Sequence, residues 1–348
     1  MNSDFYSATF GPLQAEIEAE MHAARAAQQE VAPLLWEMLD HHFGWKEQPP
    51  SATSSVGSGK KVRPVLMALV AQAICGAHQH VLPAGAALEL LHNFTLIHDD
   101  VMDRSPTRRH RPAVWTLWGP TQAINAGDAL YALANLAMAQ LIERNVPPLR
   151  VVRACRTLSQ ACLWTAEGQV LDIAFTKRPL VTTDEYMTMV EHKTGKLLEA
   201  ATMLGALLST DDEQVIQAYA RFGRDLGIAF QIRDDYLGVW GQSKATGKPT
   251  TEDIREKKKS YPVLVALERA DEADRATLQR LYARETLGEA DVQTVLAILE
   301  RVDAATQTGR VAEAHYIAAL EHLETTGIDN ATQEQIRRLA AFLILRDY

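Results

Sequence analysis

Asp99, Asp100 and Asp103 close the first half of the stretch Leu90 to Pro112, LLHNFTLIHDDVMDRSPTRRHRP, and Arg108, Arg109 and Arg111 close the second. Asp99 and Asp103 stand four residues apart, so on a helix they share one face. Two unpaired carboxylates so placed would repel and raise each other's pKa. A hard divalent cation between them relieves that repulsion. Oxygen-only donors favour magnesium, which keeps several waters and binds through one or two carboxylates plus substrate phosphates. The arginines downstream suit planar, bidentate capture of phosphate. Taken alone, the pattern also reads as a solvated acidic helix end followed by a basic loop. A second acidic pair, Asp234-Asp235, ends another apolar helical run in FQIRDD. This second acidic pair in a similar setting shifts the balance toward the metal-binding reading.

Weaker signals lie around these. In Ser58-Gly59-Lys60-Lys61-Val62-Arg63-Pro64, Gly59 allows a tight bend and three cations follow, which suits a phosphate cradle. A random basic loop would read the same way. Gly168-Gln169-x-x-Asp172 places Gln169 and Asp172 on one helix face, which a surface polar patch explains equally well. In His192-Lys193-Thr194-Gly195-Lys196 a glycine sits mid-helix, where it costs about 1 kcal/mol relative to alanine. That hints at a local opening of the helix beside Lys193 and Thr194. The segment Gln242 to Pro262, QSKATGKPTTEDIREKKKSYP, is polar, highly charged and long for a loop in a helical protein. Such connections are often lids. It carries Lys248, Asp253, Lys257, Lys258 and Lys259.

The elements that must position these residues are helices. Three- and four-residue apolar spacing predicts one long helix over 11–44, then helices over 63–76, 83–103, 121–143, 149–175, 184–209 and 213–239. Further helices are predicted over 262–270, 273–284, 288–301, 304–326 and 331–346, with a short turn at Trp115 to Trp118. Thr183 and Asp184 are expected to cap the helix after them. Two-residue alternation is almost absent, so the chain reads as all-α, a single domain over residues 1–348. Its 348 residues are 47% hydrophobic and 23% charged, ample for a large core. The net charge of −9 argues against a nucleic-acid binder. Cys75, Cys155 and Cys162 are widely spaced and read as buried core residues, not a disulfide frame or zinc site. The N-terminus lacks the pattern of a signal peptide. The longest apolar stretch, Ala129 to Ile142, is interrupted and too short to span a bilayer. A soluble, cytoplasmic protein without stable membrane insertion is expected.

Together the segments closely resemble the trans-isoprenyl diphosphate synthases, the head-to-tail polyprenyl synthetases, over about residues 55 to 265. Gly59-Lys60-Lys61-Val62-Arg63-Pro64 looks like that family's G-K-x-x-R-P, and Asp99-Asp100-Val101-Met102-Asp103 its first D-D-x-x-D. Arg108-Arg109 matches the arginine pair that follows. Gly168-Gln169-x-x-Asp172, Lys193-Thr194 and Phe230-Gln231-Ile232-x-Asp234-Asp235 match the next three motifs. Gly247-Lys248 through Asp253 and Lys258 match the lysine-bearing lid. The resemblance implies a helical bundle around a deep central cavity, the isoprenoid synthase type I fold, usually as a homodimer.

It implies chemistry as well. Asp99, Asp103 and Asp234 would bind magnesium, and Asp100 and Asp235 are expected with them among the metal-binding residues. About three ions would be held per site with substrate bound, and manganese could substitute. Arg108, Lys193 and Lys258 would hold the diphosphate of an allylic substrate (dimethylallyl, geranyl or farnesyl), with Lys248 nearby. Lys60, Arg63, His92 and Arg109 would hold isopentenyl diphosphate, and Gln231 and Thr194 would line the reacting region. The implied reaction is head-to-tail condensation by ionisation to an allylic cation. Phe94 and Thr95, just before Asp99 on the same helix, would set product length. An aromatic there goes with C15 to C20 products in the family, so geranylgeranyl diphosphate is favoured, then farnesyl diphosphate.

Two departures stand out. Gly238 replaces the last aspartate of the second motif, and His110 and Trp115 replace residues seen after the arginine pair in many members. A class I terpene cyclase would use the same acidic motif but needs one diphosphate site, and Lys60, Arg63 and Arg109 argue for two. A non-catalytic modulating subunit should show damaged acidic motifs, and the first is intact here.

Overall fold

A computed structural model describes residues 3–45, 59–241 and 251–345. It is helical almost throughout, as expected. In chain order the helices are α1 (Ser3–Ala26), α2 (Pro33–Phe43), α3 (Val62–Cys75) and α4 (Leu82–Met102). A short hairpin of β1 (Thr107–Arg108) and β2 (Arg111–Pro112) follows, then α5 (Val114–Ala139) and α6 (Pro148–Lys177). Next come α7 (Thr183–Val190), one π-helical turn (Glu191–Gly195), α8 (Lys196–Leu207) and α9 (Glu213–Trp240). The chain continues through α10 (Glu252–Arg255), α11 (Tyr261–Arg269), α12 (Glu272–Tyr282), α13 (Glu289–Arg301), α14 (Ala304–Glu324) and α15 (Ala331–Ile344).

Several boundaries differ from the sequence expectation. The single helix over 11–44 is two. Pro33 begins α2 at a position where a missing N–H is harmless, and the chain between Ala26 and Pro33 leaves the helix. The cap of α7 is Thr182, not Thr183 or Asp184. Its hydroxyl accepts from the Glu185 N–H, and the Glu185 carboxylate accepts from the Thr182 N–H, a reciprocal capping box. Trp115 to Trp118 forms the expected short turn: Gly119, at φ 80° and ψ 161°, is non-helical and sets it off from the long part of α5 that begins at Pro120. The cysteines are not fully buried: Cys75 is exposed, Cys155 and Cys162 partly so, and all three are free thiols.

The chain divides into two compact units. The first comprises Met1–Ser159, Ala201–Asp212 and Asn330–Gln333. Its centre is α4, packed against α1, α3 and α5. From Leu82 to Leu91 every residue of α4 is buried, which a helix surrounded on all sides requires. Small residues allow the approach: a Cβ on Gly85 would stand 3.3 Å from Pro64 of α3 and 3.9 Å from Ile17 of α1. Arg25 joins α1 to α2, with Nε and Nη2 donating to the Asp40 carboxylate at 2.9 and 3.1 Å.

The second unit comprises Gln160–Ala200, Glu213–Asp329 and Glu334–Tyr348. There α9 runs against α14, and α11 packs on both. Its core gathers Ile228 and Ile232 of α9, Val263 to Ala266 of α11, and Val292, Val295 and Ile298 of α13. Among the described residues no helix is long and apolar enough to cross a membrane.

Candidate active site

In the first unit the acidic motif ends α4. Asp99 is half-buried and Asp103 is exposed at the C-cap, where its N–H donates to the Asp99 carbonyl at 2.8 Å. Asp100 points the other way, into the protein, and is 2% exposed. Its Oδ1 accepts from Arg108 Nε at 3.0 Å and from Arg108 Nη2. Burial pushes the Asp100 carboxyl up and Arg108 pulls it back. The motif thus does two jobs. One face offers Asp99 and Asp103, and the other ties Arg108 to the helix end.

Arg108 sits on β1, paired with Arg111 on β2, so Arg109 and His110 form the two-residue turn. Both have positive φ, 53° and 63°. Hairpins of this length favour that twist, but glycine or asparagine usually supplies it. Its cost in arginine and histidine fits strain held at a functional site. The turn folds the Arg109 guanidinium onto the α-carbon of Gly59, with Cζ 2.9 Å from where a Cβ would be. Gly59 itself has φ 76°. Nη1 of Arg109 is buried and has no hydrogen-bond acceptor. Around it stand Arg63 and Arg108, whose charges add to burial in driving the His92 imidazole well below its ordinary pKa. His92 is therefore neutral. This is a concentration of positive charge held ready for an anion.

Phe94 and Thr95 lie one turn before Asp99. The Phe94 ring meets His98 edge-on at 4.8 Å and Tyr131 of α5 at 5.5 Å. His98 lies across Gly127 of α5 and shares its Nε2 with the Ile124 carbonyl at 3.1 Å. Thr95 turns its hydroxyl back to the His92 carbonyl at 2.7 Å.

In the second unit the opening expected at Gly195 is the π-helical turn, which inserts one extra residue into the helical ladder. Glycines on both neighbours make room for it. A Cβ on Gly168 of α6 would lie 2.7 Å from Lys193 Cα, and one on Gly227 of α9 would lie 2.7 Å from Gly195 Cα. The turn aims Lys193 at Asp172, with which it forms an ion pair. Thr194 Oγ1 donates to Gln231 Oε1 at 2.9 Å, and Gln231 Nε2 donates to Asp235 Oδ1 at 3.2 Å. Asp235 Oδ2 accepts from the Tyr186 hydroxyl and from the Tyr261 N–H at 2.8 Å. Burial pushes the Asp235 carboxyl up to about 6 against these donors. Asp235 is thus an internal anchor that orients Gln231, while Asp234 next to it is half-buried on another face of α9.

One turn on, Gly238 receives the carboxylate of Asp253 from α10. Asp253 Oδ1 accepts from Lys258 Nζ at 3.1 Å, and the Lys258 N–H donates to the Asp253 carbonyl at 2.9 Å. Asp253 and Glu256 hold the Lys258 ammonium charged against the opposing effect of burial. Lys248 lies outside the described residues, as does Gly247.

A magnesium ion fits the donor set by its chemistry. Asp99 and Asp103 on one face of one turn match in number and type the one or two carboxylates that such an ion would take, with water and phosphate at its other positions. Among the described residues no three His, Cys, Asp or Glu close into an all-protein cage. Sequence spacing missed Tyr186, which is 2% exposed and bound to Asp235. No charge or motif marks it. It also missed His42, buried beneath the Arg109 cluster and hydrogen-bonded to Asn93 Oδ1 at 3.0 Å.

A sequence model of the family described as Polyprenyl synthetase matches residues 48–299. The (2E,6E)-farnesyl diphosphate synthase of Mycobacterium tuberculosis is 34% identical over 318 residues, 90% of this chain and 87% of that protein. The geranylgeranyl diphosphate synthase of the same organism is 38% identical over 286 residues, 82% of this chain and 80% of its own. The crystal structure of a geranylgeranyl pyrophosphate synthetase from Pyrococcus horikoshii superimposes with a TM-score of 0.86 at 30% identity, covering 99% of each chain.

Proposed function

The chain belongs to the polyprenyl synthetase family, and from that premise we propose which product it makes and which residues make it. It is a prenyltransferase that elongates short-chain prenyl diphosphates. The product we assign is geranylgeranyl diphosphate, with farnesyl diphosphate second, on the strength of the Phe94 ring set against Tyr131 just before Asp99.

The isopentenyl diphosphate subsite is assigned to Lys60, Arg63, His92 and Arg109. One observation carries condensation over cyclisation. The buried Arg109 Nη1 lacks an acceptor of its own, within a cluster of guanidiniums that a one-diphosphate enzyme would not need. Arg108, Lys193 and Lys258, with Lys248, are assigned to the allylic diphosphate. There they take up the charge that the departing diphosphate gains as the carbon–oxygen bond breaks. Thr194 and Gln231 face the resulting allylic cation with oriented dipoles, because Asp235 fixes the amide of Gln231. The isopentenyl double bond attacks that cation, and the proton lost afterwards passes to diphosphate, as the family chemistry implies.

Asp99, Asp103 and Asp234 are the metal ligands of this proposal, while Asp100 and Asp235 position Arg108 and Gln231. Magnesium held there supplies Lewis-acid withdrawal of charge from the leaving group. A complement of about three ions, with manganese as substitute, belongs to the same reading.

A homodimer and a cytoplasmic setting complete it. Leu117, Ile124, Tyr131 and Leu136 of α5 are exposed, an apolar face that suits a second copy of the chain. Sedimentation of the purified protein tests the dimer. A single catalytic domain over 1–348 is proposed too, to be tested by one cooperative unfolding transition. Incubation with labelled isopentenyl diphosphate and farnesyl diphosphate tests the reaction. Uptake of label into a C20 diphosphate supports it, and a cyclic hydrocarbon formed without label reverses it.

A further inference from the structure

We propose that helix α1, which lies outside the matched residues 48–299, is the positioning element of the isopentenyl diphosphate subsite, acting through Tyr6, Gln14 and Glu18. This rests on assigning that subsite to Lys60, Arg63, His92 and Arg109.

Three polar side chains on α1 converge on two consecutive residues. The Tyr6 hydroxyl donates to the Lys60 carbonyl at 2.6 Å, and Gln14 Nε2 donates to the same oxygen at 2.8 Å. Glu18 Oε2 pairs with Lys61 Nζ, and Glu18 Oε1 accepts from Trp45. Gln14 and Glu18 are one helical turn apart, and Tyr6 is two turns before Gln14, so all three line one stripe. Tyr6 is 2% exposed and Gln14 8% exposed. A merely structural helix would fill such positions with apolar residues, as α1 does at Phe10, Ile17 and Met21.

The loop needs this help. Lys61 caps α3 with φ 47°, two residues after Gly59 at φ 76°. A lysine in that region is strained and holds only where its surroundings over-determine it. Its side chain is buried at 2% exposure, where an ammonium needs a counter-charge. With both lone pairs of the Lys60 carbonyl taken and Lys61 neutralised by Glu18, the peptide between them cannot turn. Lys60 then presents its exposed side chain, and Arg63 begins α3, on the side where Arg109 rests upon Gly59.

The test is steady-state kinetics of the full-length Tyr6→Phe/Gln14→Leu variant, which keeps the buried volumes but removes both donors. One lost neutral hydrogen bond corresponds to about fivefold. The KM for isopentenyl diphosphate should therefore rise about fivefold or more, with kcat and the KM for farnesyl diphosphate within about twofold. Glu18→Gln, which removes the charge and keeps the shape, should shift the same constant. An unchanged KM for isopentenyl diphosphate in both variants overturns the proposal. So does a parallel loss in both substrates that follows the melting temperature, since a purely structural helix would give that. If the double variant does not fold, Tyr6→Phe alone decides by the same criterion. Lys60→Ala separates the premise: no change in the isopentenyl KM there means the subsite lies elsewhere, whereas a rise in Lys60→Ala alone sinks only the role of α1.

Discussion

The carboxylate of Asp253 occupies the space in which a β-carbon on Gly238 would stand, its Cγ 2.7 Å from that position. The glycine that interrupts the second acidic motif is therefore a seat, and the acid that fills it comes from α10. Asp253 in turn holds Lys258 at 3.1 Å. Writing the motif's missing aspartate back in as Gly238→Asp should consequently harm the enzyme. The new side chain displaces Asp253 and frees Lys258. Losing a charge-assisted contact to diphosphate costs about 1.5–3 kcal/mol, roughly tenfold to a hundredfold in the KM for the allylic substrate. Kinetics with farnesyl diphosphate decides, and a KM at the wild-type level would mean the seat is idle.

How the sequence reads here depends on whether a residue's job is local. Asp99, Asp103 and Arg108 lie within one helix end and the hairpin after it, so spacing alone is enough to mark them as candidates. The opening at Lys193 and Thr194 was legible because Gly195 is costly in a helix without a reason. Asp235 carries the same letter as Asp234, yet its carboxylate is buried by partners 49 and 26 residues away. No period in the chain encodes that. The break at Pro33 was written in the sequence, but the apolar spacing on either side ran through it.

Asp99 and Asp103, the proposed metal ligands of the first motif, should behave differently from Asp100, which binds Arg108. Asp99→Ala or Asp103→Ala should cut kcat by at least about a hundredfold, since a metal contributes several kcal/mol of charge stabilisation. Chelation of the wild-type enzyme should give the same loss and added magnesium should restore it. Asp100→Asn keeps an acceptor for Arg108, so its activity should fall about tenfold or less, with the magnesium concentration for half-maximal rate unchanged. A large shift in that concentration would move Asp100 into the metal shell.

Phe94 does not stand alone. Its ring meets Tyr131 at 5.5 Å, so Phe94→Ala opens a space still bounded on one side by Tyr131. Phe94→Ala should lengthen the product, and Phe94→Ala/Tyr131→Ala should lengthen it again. Chromatography of the dephosphorylated products reads both steps. Identical profiles for the single and double variants would remove Tyr131 from the wall.

His42 sets an acid limit on the fold. Asn93 Nδ2 donates to the Glu89 carbonyl at 2.7 Å and to Glu89 Oε1 at 3.0 Å, so Asn93 Oδ1 must accept and His42 Nε2 must carry the hydrogen. Burial, then the Arg109 charge, pushes the His42 pKa down to about 3. The unfolded imidazole takes a proton near pH 6.5. Stability is thus full above pH 6.5 and falls as pH drops toward 3, by about 1.4 kcal/mol per pH unit for this group. His42→Gln keeps the donor to Asn93 and cannot protonate. Urea unfolding at stepwise pH should show a shallower acid loss for that variant, and equal slopes would place the acid sensitivity elsewhere, with His92 next in line.

The π-helical turn makes the sharpest demand on its neighbours. A Cβ on Gly168 would lie 2.7 Å from Lys193 Cα and 2.8 Å from its Cβ, and backbone cannot give way as a flexible side-chain tip can. Gly168→Ala should cost about 1–3 kcal/mol of stability as overpacking. Its effect on catalysis should exceed that, because the atoms it pushes belong to Lys193 and lie beside Thr194. Relieving the clash by letting the turn revert to regular α-helix would rotate Thr194 away from Gln231, now its acceptor at 2.9 Å. The discriminating measurement is kcat at a temperature where the variant is fully folded by circular dichroism. A normal kcat there would show that the turn tolerates displacement, and that Lys193 and Thr194 do not need the close approach of α6.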